Sequence, residues 1–177
     1  MFSGFELSTR NIEKICNLDE LKRNSEIREL SRCPIEGHNG HWEGERGDSK
    51  WIPDKEYIPP CSNIEGKTWG EILDNNGIDG IEYKDGEPDF SPIAKETVEI
   101  DDFTGNRAKN FDQADEKLAE KLNCYPEDVE KMRKENNETW HECPDCKTMK
   151  LVPSEIHNNI PHTGGISEYN SKNEVKK

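Results

Sequence analysis

Apolar residues recur at helical spacing over residues 8–32, at Ile12, Ile15, Leu18, Leu21, Ile27 and Leu30, with Ser8 as N-cap and a break at Asn24-Ser25. The pattern then dissolves over residues 33–66, which are rich in Gly and Pro but hold Trp42 and Trp51 about a turn-prone centre. An ordered loop or irregular hairpin is expected there, with the two indoles packed in a core in preference to stacking on a ligand. Thr68 followed by Glu71 is a capping box for a helix to Asn76, stopped by Gly77. Ile81-Glu82-Tyr83 before Lys84-Asp85-Gly86 reads as a strand entering a turn, and Thr97–Ile100 as another strand. Helices follow at Phe111–Leu122 and, after Pro126, from Glu127 to Asn136. The end of the chain reads as strand (139–143), Pro-Asp turn, strand (147–152) and a short helix from Pro153 or Ser154. Residues 167–177 read as a disordered tail.

Composition limits what this pattern can build. Leu, Ile, Val and Phe make up about 18% of 177 residues, near the range where charged chains fail to fold alone. A small core completed by a metal ion or a partner is expected. The formal charge of −14 speaks against a general polyanion binder, since such affinity comes from Lys and Arg. The acidity sits in residues 41–139, whereas residues 140–177 balance five acidic against five basic groups. A local phosphate site in that last stretch is therefore not opposed by its own charge. No apolar run is long enough to span a membrane, and the N-terminus lacks the order of a Sec signal.

Three of five histidines lie in that last stretch: His141 on the first strand, His157 in the short helix, and His162 just beyond it. His157 and His162 would diverge on a continuous helix, but Pro161 ends it and lets the chain turn back. The three imidazoles then converge on one divalent cation, a donor type that suits zinc, nickel and their neighbours. Of six cysteines, Cys143 and Cys146 form one C-x-x-C pair. With Cys33, His38, His41 and Cys61 they offer a second zinc site, but two small residues in a tight turn is the preferred reading.

Trp140-His141, Leu151-Val152-Pro153, His157 and Pro161-His162-Thr163-Gly164-Gly165 together resemble the ββα-metal (HNH-type) nucleases. They resemble more closely the Trp-His-His toxin nucleases related to colicin-type DNase and tRNase domains. The segments 44–51 and 98–103, with Arg107, are similar to the family's N-terminal half. The resemblance implies an α+β fold: a ββα-metal motif at residues 139–163 packed on a mainly helical N-terminal part. It divides the chain into a helical arm (1–39), a nuclease domain (40–166) and the tail (167–177). It implies one divalent ion (Zn, Ni, Mg or Mn) held by His141, His157 and His162, and hydrolysis of phosphodiester bonds in DNA ahead of RNA. It also implies Arg46 or Arg107 as the phosphate grip, a cognate immunity protein as partner, and action in the cytoplasm of a target cell after delivery without a Sec signal.

The chain departs from that pattern at Glu142, where the family carries its second His. In one register Glu142 is the general base beside three ligating histidines; in the other His141 is the base and Glu142 a ligand or orienting group. The first is preferred. Because neighbouring residues of a strand face opposite sides, both can act only at a twisted or terminal position. A non-catalytic metal-stapled interaction module and a Cys-based zinc or redox domain are the competing functions.

Overall fold

The computed structural model describes residues 32–174, so the expected helix over 8–32 falls, except for its last residue, outside the described part. The described part is α+β, with seven strands in two antiparallel sheets and five α-helices.

The first sheet has the order β1-β2-β3-β4. Strands β1 (Gly40–Trp42) and β2 (Lys50–Pro53) form the hairpin expected between residues 33 and 66 and bring Trp42 opposite Trp51. Both indoles are buried, with ring centroids 5.3 Å apart, as their core assignment requires. Gly40 is obligatory there, since a Cβ would lie 2.4 Å from the Trp51 ring. Helix α1 (Trp69–Asn75) starts at the Thr68–Glu71 capping box and buries Trp69, Ile72 and Leu73. Strands β3 (Ile81–Lys84) and β4 (Glu87–Pro88) are joined by Asp85 and Gly86, both at positive φ, as a tight hairpin demands.

After a 3-10 turn at Ser91–Ile93, strand β5 (Glu96–Glu99) enters the second sheet, of order β5-β7-β6. Helix α2 (Arg107–Leu122) begins four residues before the expected Phe111, because the Asn106 side chain accepts from the Ala108 and Lys109 amides and so caps an earlier turn. Helix α3 (Pro126–Glu135) follows, then β6 (Glu138–Glu142), β7 (Thr148–Pro153) and the one-turn helix α4 (Ser154–His157). Trp140 of β6 and Met149 and Leu151 of β7 join α2 and α3 in one apolar core. Val152 joins Phe90, Ile156, Ile160 and the indoles of the first sheet in another. The second sheet thus separates two cores, and alternation along β6 sends Trp140 to one and His141 towards the other.

A buried polar network fastens β6 to the helices. Asp115 of α2 accepts three hydrogen bonds from Arg133 of α3, at 2.8–3.2 Å, and one from the Trp140 indole at 2.7 Å. The α+β expectation holds: the described part preceding the motif joins a four-stranded sheet to helices α1, α2 and α3. One expectation is corrected. The tail is helix α5 (Gly165–Glu174), not disordered as far as Glu174: Ile166 and Tyr169 pack on the second core, with the Tyr169 ring 5.9 Å from Phe103. Gly165 fits only as glycine, because a Cβ would lie 2.5 Å from the Cys143 carbonyl oxygen.

Candidate metal centre

His141 lies one residue from the end of β6, His157 ends α4, and His162 follows Pro161 on the return. One ring nitrogen from each falls within 4.8 Å of the other two, the sole such cluster of ligating side chains among the described residues. His141 Nδ1 and His157 Nε2 are 3.3 Å apart, and the fully buried Phe90 ring touches all three imidazoles at 4.9–5.5 Å between centroids. Neighbouring groups orient the rings. His162 Nδ1 donates to the Ile160 carbonyl at 2.7 Å, which leaves its Nε2 lone pair available. His157 Nδ1 is 3.1 Å from Asn158 Oδ1; that amide donates its own hydrogen to Ser62 Oγ, so Nδ1 carries the proton and Nε2 is again the free donor.

Burial holds the rings neutral. It depresses His141 to about 2, helped by His162, His157 and Arg107, and His157 to about 4, helped by His162 and Arg107. His162 is lowered for the same leading reason. Three neutral imidazoles clustered this closely with free lone pairs fit a first-row divalent ion, because no proton has to leave before the metal enters.

Glu142, the last residue of β6, is buried and points to the α2 side of the sheet. Its Oε1 accepts from Asn110 Nδ2 at 2.8 Å and its Oε2 from Arg107 Nε at 3.1 Å. Asn110, wholly buried, is itself fixed: its Oδ1 accepts from the Thr104 amide at 2.9 Å and its Nδ2 also donates to the Thr104 carbonyl. Its donor edge must therefore face Glu142. Arg107, with a largely exposed side chain, bridges the two faces: it binds Glu142 and lines, with His157 and His162, a cleft of about 490 Å³.

Among the residues singled out in the sequence, His141, His157, His162, Glu142 and Arg107 are brought together. Arg46 is not. Its guanidinium donates to the backbone carbonyls of Pro34 at 3.0 Å and Cys33 at 2.8 Å, holding the segment before β1. Cys143 and Cys146 take the preferred turn role: the Cys146 amide donates to the Cys143 carbonyl, Cys146 has φ +57°, and Asp145 caps the Lys147 and Thr148 amides. Burial pushes the Cys143 thiol up to about 11, away from the thiolate a zinc ligand needs. Sequence reasoning missed Asn110, Phe90 and Arg32, the last of which lines the cleft with Arg107. Only Asn110 had a trace in the sequence: it lies one helical turn after the capping Asn106, a polar residue where an apolar one would be expected.

Residues 80–164 match the family model of the DNase/tRNase domain of colicin-like bacteriocin. The match runs from β3 to the glycine after His162 and includes the three histidines, Glu142 and Arg107, but not Arg46. It supports a nuclease toxin domain of the colicin-like kind in this part of the chain. No curated protein matches the chain.

Proposed function

We propose that the chain is a metal-dependent endonuclease of the HNH type, the toxin module of a competition or toxin–immunity system, which hydrolyses phosphodiester bonds in DNA ahead of RNA. The observation that carries this reading is the convergence of three neutral imidazoles beside an arginine–glutamate pair, within the segment that matches the nuclease family. A divalent ion at His141, His157 and His162 would supply Lewis-acid stabilisation of the extra negative charge that develops on the phosphate. Arg107 reaches into the same cleft with its charged end exposed, so its remaining N–H groups are placed to grip a phosphate oxygen. Glu142 takes the proton of the attacking water, with Asn110 holding its carboxylate in one orientation.

A second reading of Glu142 has its own support. Both carboxylate oxygens already accept hydrogen bonds, from Asn110 and Arg107, on the face of β6 away from the His141 ring. In that register Glu142 orients Arg107 and His141 is the base. Glu142→Gln separates the two: loss of a base lowers kcat about 10²–10⁴-fold, whereas loss of an orienting group raises KM and leaves kcat within about tenfold.

The test of the function is cleavage of plasmid DNA and of structured RNA in Mg²⁺, Mn²⁺, Ni²⁺ or Zn²⁺, with His157→Ala alongside. Cleavage by the parent and none by His157→Ala is the expected result. Equal cleavage by both overturns the nuclease assignment, and metal binding without cleavage of either polymer favours the interaction module. Among the described residues no helix is long and apolar enough to cross a membrane.

A further inference from the structure

Beside the histidine cleft lies a second and more apolar groove, of about 540 Å³. The two share Arg32, Asn158, Pro161 and His162, so one continuous surface runs from the candidate metal centre into the groove. Ile35, Tyr57, Pro59 and Pro60 line it together with the buried indoles of Trp51 and Trp69. Ile35 is 62% exposed, an apolar side chain left facing water beside a site otherwise rich in polar groups.

Both segments that form the groove are tethered. The Cys61 amide donates to Asn159 Oδ1 at 2.9 Å, Asn159 Nδ2 returns a bond to the Cys61 carbonyl, and Ser62 accepts from both Asn158 and Asn137. This fixes the segment of Pro59 and Pro60 to α4, the helix that carries His157. The segment of Ile35 is held by Arg46 and by the Trp42 indole, which donates to the Pro34 carbonyl at 3.1 Å. The groove is therefore preformed and registered against the histidines. That also gives the misplaced Arg46 a function: it shapes the groove without touching the reacting phosphate.

Charge says what such a groove is for. A chain of net charge −14 gains little affinity by neutralising many phosphates along a duplex. Binding must then come from a few local contacts, and an apolar groove next to a phosphate site suits the insertion of a base. We infer that the groove is a subsite for one unpaired nucleobase of the strand whose phosphate lies at the histidines; the inference rests on the nuclease reading. A base stacked and paired in a duplex cannot enter without being extruded. The preferred substrate is accordingly single-stranded DNA or RNA, or a loop.

The test is equilibrium binding, by fluorescence anisotropy in Mg²⁺, of cleavage-resistant phosphorothioate oligonucleotides to the full chain. A single strand should bind at least tenfold more tightly than its duplex. Ile35→Glu should lower single-strand affinity about tenfold and leave duplex affinity within about twofold. Ile64→Glu, at a residue 93% exposed and outside the groove, adds the same charge and should change neither. Equal affinity for strand and duplex, or parallel losses with Ile35→Glu and Ile64→Glu, overturns the subsite. Cleavage without strand preference rejects the subsite and leaves the nuclease reading standing. Groove-dependent binding of single strands without cleavage of any polymer supports the subsite and rejects the nuclease reading.

Discussion

Replacing Asp115 by Ala removes the acceptor of four buried hydrogen bonds. It strands the guanidinium of Arg133, whose side chain is 11% exposed, and the Trp140 indole, whose residue is 1% exposed. Breaking a buried ion pair from one side costs about 3–5 kcal/mol, because the remaining charge stays desolvated. An orphaned indole N–H adds about 1–3 kcal/mol. The two overlap, since the freed space admits water, so a total near 4 kcal/mol is expected from a stability of about 5–15 kcal/mol. With a urea slope of about 2 kcal/mol/M the midpoint falls by about 2 M. Urea unfolding followed by circular dichroism and Trp fluorescence reads this directly. The double variant Asp115→Leu/Arg133→Met removes both charges and fills the space, and should recover more than half of the loss. A midpoint shift below about 0.5 M for Asp115→Ala, or a double variant as unstable as the sum of its parts, would refute this account of how β6 is fastened.

Other predictions separate the roles of neighbouring groups. Arg107→Ala should lower cleavage about 10²-fold and also lower the unfolding midpoint, because it leaves the buried Glu142 carboxylate without its cationic partner. Arg46→Ala should leave kcat within a few-fold while losing about 1–3 kcal/mol of stability with its two hydrogen bonds to backbone carbonyls, as read by paired melts and kinetics. Zn²⁺ or Ni²⁺ should raise the melting temperature of the parent, by about 4 kcal/mol of stabilisation at a thousand times Kd. His162→Ala should abolish most of that shift; an undiminished shift would place the ion elsewhere. Without metal, the three histidines have folded values below their ordinary 6.5. The unfolded chain then binds more protons below about pH 6.5, so the stability they confer is complete above it and lost as pH falls. Each contributes a slope of up to about 1.4 kcal/mol per pH unit. Urea midpoints at pH 7 and pH 5 should differ in that direction, and a higher midpoint at pH 5 would contradict it.

Local chemistry was the part most legible in the sequence. Thr68 and Glu71 announce α1 because a capping box is satisfied within four residues, and the hairpin, Pro-Asp turn and short helix about the histidines are likewise short-range. The convergence of the three histidines followed from the strand–turn–strand–helix frame, with Pro161 turning His162 back beside His157. Groups whose role depends on distant partners were not legible. Asn110 gains its role from Glu142, 32 positions on, and Arg46 spends its guanidinium on carbonyls of another segment. Helix α5 was hidden by composition: two apolar residues, Ile166 and Tyr169, suffice to dock it because Gly165 lets it lie close against Cys143. Trp42 and Trp51 were placed in the core correctly, since large flat rings near a turn in a chain poor in aliphatic residues have few other places to go.

His162 sits between two anchors that belong to different sheets. On one side the Tyr83 hydroxyl, from β3, donates to the Pro161 carbonyl at 2.8 Å; on the other Gly165 is lodged beneath Cys143, just past β6. His141 and His157 are both set by the second sheet and the helix that follows it. The third histidine thus acts as a gauge of how the two sheets dock, and under the proposed function affinity for an ion would report that docking as well as the donors themselves. Tyr83→Phe leaves every imidazole in place yet loosens one end of the gauge. Metal affinity falling while two-ligand binding persists would be its signature, and would make the centre a sensor of whether the whole domain has assembled.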